Sequence, residues 1–87
     1  MEFEYDPEKS KINAAKHGID FNEARRLWLD GKGLVVSARS LTEPREAIIA
    51  EIDGTLWTAI YTLRGESIRI ISVRRSRDEE RERYNNR

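Results

Sequence analysis

Residues 68–77, with the sequence IRIISVRRSR, constrain the fold of this chain more than any other stretch. The Ile and Val side chains are branched at Cβ and favour a pleated backbone, so the stretch is predicted to be a strand buried over most of its length. We expect it to be the central strand of a sheet. Alternation divides its side chains between two faces, with Ile68, Ile70, Ser72 and Arg74 on one and Arg69, Ile71, Val73 and Arg75 on the other.

Arginines dominate this end of the chain, since every cation from Arg64 to the last residue is an arginine. The guanidinium group is planar and can donate two parallel hydrogen bonds to a phosphate or a carboxylate, so the pattern indicates anion recognition. A solvent-exposed helix of alternating Arg and Glu explains the run from Arg77 onward, but it does not explain Arg64 or Arg69. Within the apolar strand, Arg69 must either be paired or line a cleft that an anion enters, and the strand alone favours neither interpretation.

Composition excludes several classes of function. The 87 residues are enough for one small domain, which we expect to span residues 1–87. With no cysteine and a single histidine, no metal site and no cofactor are expected. The 16 basic and 16 acidic residues cancel, so the chain is not a polycation that coats nucleic acid indiscriminately. Neither a membrane-spanning run nor a signal-peptide pattern is found, which predicts a cytoplasmic protein.

A short strand and a helix are predicted at the start of the chain. Residues 3–5 alternate and stop at Asp6 and Pro7, so this strand should lie at an edge or beside the central strand. Asp6 is expected to cap a helix that ends at residues 16–18, KHG. The apolar stripe of this helix is weak, so its polar side chains are expected to be in water, namely Lys9, Lys11, Asn13 and Lys16.

A second helix should follow the first almost at once. Asp20 and Glu23 have the spacing of a capping box, and the glycines at 31 and 33 end the helix. Two helices joined this tightly form a corner that holds His17 and Gly18 in a defined geometry. The core face of the second helix is predicted to carry Ala24, Leu27 and Trp28.

The middle of the chain is predicted to be a meander of antiparallel strands, at residues 34–37, 47–52 and 56–63, before the stretch at 68–77. A polar loop through Ser40, Thr42 and Pro44 joins the first two strands. Asp53–Gly54 is typical of a type I′ hairpin, and residues 64–66 make a second tight turn.

A C-terminal helix completes the predicted fold. Ser76 and Glu79 have capping-box spacing, and Arg77, Arg81 and Tyr84 fall on one face, with Tyr84 as the main packing residue. The order β-α-α-β-β-β-β-α predicts an α+β protein with an antiparallel sheet, two N-terminal helices packed on one face and a C-terminal helix.

His17 is a candidate for proton transfer because imidazole is the side chain best suited to exchange a proton near neutral pH. A lone histidine at a helix C-terminus more often caps the terminal carbonyls, by about two to one. Arginines offer the corroborating charge: if Arg69 and Arg75 share a face they lie about 20 Å apart, suited to successive phosphates of a nucleic-acid strand. Arginines on a reacting phosphate would also stabilise its transition state.

Aromatic side chains are the third candidate group, because they can stack unpaired bases. Core packing is the favoured interpretation for Trp28, which lies on an apolar helix face. Trp57 and Tyr61 share one face of their strand and are compatible with either role, and Tyr84 lies on the C-terminal helix.

Five short segments follow one another in a characteristic order: FEYDP at residues 3–7, KHGI at 16–19, FNEA at 21–24, YTLRG at 61–65 and IRIISVRR at 68–75. In a chain of this length they resemble the BrnT-type toxins of bacterial toxin–antitoxin pairs, and the resemblance covers nearly the whole chain. Tyr5 stands where the family more often has Trp, which is a conservative difference.

The resemblance implies a RelE-like fold and a metal-independent endoribonuclease whose RNA cleavage arrests translation and growth. It also implies a cognate BrnA-like antitoxin with a ribbon-helix-helix DNA-binding domain, in a hetero-oligomer such as a 2:2 complex that binds operator DNA only through the antitoxin. Carried onto this sequence, it assigns catalytic roles to Lys16, His17, Arg64 and Arg69, and RNA or phosphate binding to Arg74, Arg75 and Tyr84.

Two further questions stay open at the level of sequence. RNA cleavage needs a base for the 2′-hydroxyl and an acid for the 5′-oxygen, and only His17 is a candidate for one of them; Lys16, Tyr84 or an arginine could be the second. A non-catalytic RNA- or protein-binding module of the same fold, acting as corepressor with its antitoxin, is the alternative function. A DNA-binding regulator in its own right is disfavoured, because no helix-turn-helix pattern is found.

Overall fold

The computed structural model describes residues 1–38 and 44–87. Five strands form one sheet: β1 (Glu2–Glu4), β2 (Leu34–Ala38), β3 (Arg45–Ile52), β4 (Thr55–Arg64) and β5 (Ser67–Arg75). The helices are α1 (Pro7–His17), α2 (Phe21–Ala24), a 3-10 helix (Arg25–Leu29) that continues α2, and α3 (Asp78–Asn85). The α+β class is therefore confirmed, and the order differs from the predicted one in that the second helix is a single α turn extended by a 3-10 helix.

The strands lie in the order β1-β5-β4-β3-β2. The meander from β2 to β5 is antiparallel as predicted, but β1 pairs with β5 in parallel, so the sheet is mixed and the expectation of an antiparallel sheet is wrong for this pair. The reason is connectivity, because β1 and β5 are joined by most of the chain rather than by a hairpin. The central strand is β4 and not residues 68–77, although β1 does lie at an edge beside β5, as predicted.

Turn chemistry is where the predictions from sequence are most accurate. Asp53 and Gly54 both have positive φ, 49° and 85°, as a type I′ hairpin between β3 and β4 requires. Gly65, with φ 61°, makes the tight turn from β4 into β5. The loop predicted through Ser40 and Thr42 lies outside the described residues.

One face of the sheet packs against the N-terminal helices. Ala24 and Leu27 are fully buried there, and Trp28 packs against the same cluster, so the predicted core face is confirmed. Rings meet edge to face between Phe3 and Trp28, at 5.1 Å, and between Trp28 and Tyr61, at 5.2 Å. We call this side of the sheet the helix face; its strand residues are Ile48, Ala50, Ile52, Trp57, Ala59, Tyr61, Ile68, Ile70 and Val73.

Helix α1 is attached to the sheet by polar groups rather than by an apolar stripe. Ile12 is 62% exposed, whereas Ser10 and Asn13 are buried, so the expectation that Asn13 lies in water is wrong. The Asn13 amide donates to the carbonyls of Ile19 (2.8 Å) and Val73 (2.9 Å), and its oxygen accepts from the Val73 N–H at 3.1 Å. The Ser10 hydroxyl accepts from the N–H of Phe21 at 2.9 Å, which fixes the corner between α1 and α2.

A β-bulge in β5 changes which arginines share a face. Ile60 pairs with Ser72 and Tyr61 with Ile70, so Ile71 has no partner on β4 and the alternation resumes one residue later. Arg69 opposes Thr62 and Arg74 opposes Thr58, which places both arginines on the side away from the helix face. Arg75 opposes Trp57 on the helix face, so the predicted face that carries Arg69 with Arg75 is wrong.

Helix α3 packs on the second side of the sheet, which we call the α3 face. Its N-cap is Arg77, not Ser76, because the carboxylate of Glu80 accepts from the Arg77 N–H at 2.7 Å. The Ser76 hydroxyl is instead 2.8 Å from that of Thr58. Glu80 and Tyr84, one turn apart, are the two anchors of the helix, so Tyr84 is not the only packing residue. None of the helices within residues 1–38 and 44–87 has the length and apolar character needed to span a bilayer.

Candidate functional site

Two arginines and one glutamate form a cluster on the α3 face at the start of β5. Glu4 pairs in register with Arg69, and the tight turn at Gly65 brings Arg64 to the same corner of the sheet. The Glu4 Oε1 atom lies 3.5 Å from Nε of Arg64 and 3.6 Å from a terminal nitrogen of Arg69. The structure therefore brings two of the predicted catalytic residues together around a residue that the sequence analysis did not select.

This cluster is accessible and carries an excess of positive charge. The side chains of Arg64, Arg69 and Glu4 are 60%, 35% and 41% exposed. Ion pairs this exposed contribute little to stability, typically about 0.2–1 kcal/mol, so holding the fold together is a weak explanation for them. Two guanidinium groups that reach one carboxylate oxygen can also reach two oxygens of a phosphate.

Arg74 has a structural partner. Its guanidinium donates two hydrogen bonds to Glu80, at 2.7 and 2.9 Å, and both side chains are mostly buried. Burial alone would raise the pKa of Glu80, but the hydrogen bonds from Arg74, from the Arg77 backbone and from Thr58 lower it to about 2. The hydrogen bonds that Arg74 donates to Glu80 raise the pKa of Arg74. Arg74 therefore holds α3 against the sheet. If Arg74 also binds RNA, as predicted, it must do so while it is paired with Glu80.

Arg75 points to the other side of the sheet. Its guanidinium carbon lies 5.7 Å from the ring centre of Trp57, within the range of a cation–π contact. Trp57 is only 9% exposed, and Tyr61 is 5% exposed with a pKa that burial raises. Both rings are part of the core, so neither has a free face on which a base could stack.

Lys16 and His17 lie at the end of α1. The helix closes at Gly18, whose φ is 80° and whose N–H donates to the carbonyl of Ala14 at 2.9 Å. His17 is half-buried, and within residues 1–38 and 44–87 neither Lys16 nor His17 forms a side-chain hydrogen bond or an ion pair. In the described part of the chain, Lys16 and His17 therefore do not contact the arginines, and their side chains do not cap the helix.

Tyr84 is held by an aspartate that the sequence analysis missed. Its hydroxyl donates to Oδ2 of Asp30 at 2.7 Å, and Asp30 also accepts from the N–H groups of Lys32 and Glu51. The hydrogen bond to Asp30 raises the pKa of Tyr84 to about 12. A phenol whose proton is committed in this way is a poor proton-transfer group near neutrality. The signal in the sequence was only Asp30 beside a Gly-rich turn, a common pattern.

A groove of about 290 Å³ lies between α3 and the strands of the α3 face. Its floor is apolar, built from Val36, Ala47, Ile49 and Ile60. Charged side chains line its rim, namely Arg74, Arg77, Glu79, Glu80 and Arg83. In the part of the chain that the structure describes, no three His, Cys, Asp or Glu side chains are grouped so that they could hold a metal ion.

Comparison with known proteins gives one family. The family model described as the ribonuclease toxin BrnT of type II toxin–antitoxin systems matches residues 5–80. The comparison with curated proteins gives no match. The matched range contains Arg64 and Arg69 together with α1 and the whole sheet except β1.

Proposed function

This chain belongs to the BrnT family of ribonuclease toxins of type II toxin–antitoxin systems, and from that premise we propose that it cleaves RNA without a metal ion and thereby arrests translation and growth. The cleavage is attack of the ribose 2′-hydroxyl on the adjacent phosphorus, which passes through a five-coordinate phosphorane with extra negative charge. We also propose that the sheet and helices form a RelE-like domain that spans residues 1–87.

The observation that carries the proposal is the pair Arg64 and Arg69 on an exposed corner of the α3 face. Two guanidinium groups directed at one point supply hydrogen bonds to the non-bridging oxygens of a phosphate, and these bonds strengthen as charge develops. Removing one such donor from an enzyme typically costs about a hundredfold or more in turnover. We assign Arg64 and Arg69 this electrostatic role.

The other residues enter the proposal through the resemblance to the family. His17 is the candidate for donating a proton to the leaving 5′-oxygen, with Lys16 beside it, although neither contacts the arginine pair in the described structure. Arg74, Arg75 and Tyr84 are assigned to RNA binding. Of these, Arg74 lines the groove on the α3 face, where an RNA strand could continue from Arg69.

The partner follows from the family. We propose a cognate antitoxin with a ribbon-helix-helix domain, which covers the arginine pair with acidic side chains and binds operator DNA in a complex such as a 2:2 hetero-oligomer. Both the RNA substrate and the antitoxin are expected in the cytoplasm.

Induced expression in a bacterial host tests this function. The wild-type chain, without its antitoxin, should arrest growth, and total RNA from the arrested cells should be fragmented. Cells that express the double variant Arg64→Ala/Arg69→Ala should grow normally. The control Lys9→Ala/Lys11→Ala removes two exposed cations of α1, and cells that express it should still stop growing. Growth arrest with intact RNA would instead support the non-catalytic binding module.

A further inference from the structure

We propose that Glu4 is the general base that takes the proton of the ribose 2′-hydroxyl. This inference rests on the proposed ribonuclease function and supplies the proton-transfer residue that the sequence left unidentified. It also gives a role to the carboxylate at the centre of the arginine pair.

The position of Glu4 is set by the backbone. The parallel pairing of β1 with β5 places Glu4 beside Arg69 on the α3 face, while Phe3 points to the helix face and packs against Trp28. A residue on the short strand β1 therefore reaches the arginine pair only in this register. A shift of the pairing between β1 and β5 by one residue would turn the Glu4 carboxylate to the helix face.

The contacts of Glu4 leave it able to accept a proton. At 3.5 and 3.6 Å they are longer than the 2.7–2.9 Å typical of charge-assisted hydrogen bonds, so its lone pairs are not committed to Arg64 and Arg69. Glu80 differs from Glu4, because it accepts hydrogen bonds from Arg74, from Thr58 and from the backbone N–H of Arg77. Those bonds hold α3 against the sheet. An exposed carboxylate with long contacts has the features of a base and few of a structural partner.

Substrate can approach Glu4 because its side chain is 41% exposed. Glu4 also lines an open cleft of about 630 Å³ along the edge strand β1, together with Glu2, Tyr5 and Arg25, and the arginine pair lies outside this cleft. A phosphate held by Arg64 and Arg69 would contact the same guanidinium groups that Glu4 contacts, which puts the adjoining ribose within reach of the carboxylate. The charged groups that face Glu4 are thus Arg64 from β4, Arg69 from β5, Arg25 across the cleft and Glu2 on its own strand.

The step balances with the groups already named. The Glu4 carboxylate takes the 2′-hydroxyl proton, the 2′-oxygen forms a bond to phosphorus, and the bond from phosphorus to the 5′-oxygen breaks. The 5′-oxygen leaves as a hydroxyl with a proton from an acid, for which His17 is the candidate. The products are a 2′,3′-cyclic phosphate and a 5′-hydroxyl, and the arginines hold the phosphorane charge between the two proton transfers.

The variant Glu4→Gln tests the inference, with Glu66→Gln as a control that removes the same charge from an exposed position in the turn between β4 and β5, outside the cleft. For Glu4→Gln we expect kcat to fall about a hundredfold or more, because that is the usual contribution of a general base. Affinity for a non-cleavable 2′-deoxy-substituted RNA should stay the same or rise, since one negative charge is lost. Glu66→Gln should keep the wild-type kcat.

A pH profile separates proton transfer from charge effects. In the wild type kcat should rise with pH to a plateau, as expected for a reaction that needs a deprotonated base, and this rise should be absent in Glu4→Gln. Glu4→Asp keeps the carboxylate on a shorter side chain and should recover part of the lost kcat.

Two results would overturn the inference while leaving the proposed function intact. One is a wild-type kcat in Glu4→Gln, and the other is a higher kcat, as expected if Glu4 is only a counter-ion that competes with RNA. A wild-type chain that is folded but cuts no RNA would overturn the ribonuclease function, and the inference with it.

Discussion

Asn13 takes the place of a strand residue at the edge of β5. β1 pairs only as far as Arg69, and beyond it the side-chain amide of Asn13 bonds both the N–H and the carbonyl of Val73, as a neighbouring strand would. The sequence could not predict this, because an Asn in a polar helix is typical of a solvated position. Asn13 is buried because its amide bonds to the backbone of Val73, sixty residues away in the chain.

Asn13→Ala should therefore destabilise the protein by about 3 kcal/mol, since it leaves three buried backbone groups without partners. The control Lys9→Ala on the same helix, at an exposed position, should change the free energy of unfolding by less than about 0.5 kcal/mol. Denaturant titration of both variants measures the difference. Equal stabilities would contradict the strand-like role of Asn13.

His17 was selected from the sequence for its chemistry, and its role stays a prediction. His17→Ala should lower RNA cleavage about a hundredfold or more and leave RNA affinity and thermal stability nearly unchanged. His17→Asn keeps a polar side chain that cannot transfer a proton near neutral pH, so its cleavage should fall as far as that of His17→Ala. Full cleavage by both variants, measured on a labelled RNA, would remove His17 from the active site.

At the scale of elements, the bulge in β5 decides where the arginines point. Strict alternation predicted one face with Arg69 and Arg75, whereas the extra residue Ile71 moves Arg75 to the helix face and places Arg74 on the side of Arg69. No residue in IRIISVRR is a glycine or a proline that would have indicated a bulge. The facing strand, and not local propensity, sets the register.

Helix α3 depends on polar contacts, chiefly the partly buried ion pair of Arg74 and Glu80, more than on apolar packing. Because Glu80 has a pKa of about 2, below the ordinary value of 4.5, the unfolded chain binds its proton more readily than the folded chain. The stability that Glu80 contributes is fully present above about pH 4.5 and is lost as the pH falls towards 2.

Glu80→Gln should lower the free energy of unfolding at neutral pH by about 2 kcal/mol, because Arg74 loses its charged partner. The variant should also lose less stability than the wild type between about pH 5 and pH 2. Glu79→Gln is the control, because Glu79 is the exposed neighbour in the same first turn. Parallel acid-unfolding curves for wild type and Glu80→Gln would show that this pair does not stabilise α3.

At the scale of the whole molecule, most of the architecture could be predicted from the sequence. Hairpin signals at Asp53–Gly54 and Gly65 define the meander, and the spacing of Ala24, Leu27 and Trp28 defines the face that covers it. The parallel docking of β1 could not be predicted, because nothing local in three residues indicates the direction of the partner strand. That pairing also brings Glu4 to Arg69. The place of Glu4 in the candidate site therefore could not be predicted from the sequence either.

Antitoxin binding should depend on the arginine pair. Arg64→Glu/Arg69→Glu should weaken binding of the cognate antitoxin at low salt by about tenfold or more, because acidic side chains would then face acidic side chains. Lys9→Glu/Lys11→Glu makes the same change of charge on α1 and should bind nearly as wild type. Isothermal titration at two salt concentrations compares them, and unchanged affinity for the arginine variant would show that the antitoxin binds elsewhere.

Cleavage of a labelled single-stranded RNA by the purified protein in excess EDTA tests whether this protein is a metal-independent ribonuclease that depends on Arg64 and Arg69. The wild type should form fragments that end in 2′,3′-cyclic phosphates, and these fragments should be almost absent with Arg64→Ala/Arg69→Ala. Intact RNA with folded wild-type protein, cleavage only after a divalent metal is added, or equal cleavage by the double variant would contradict it.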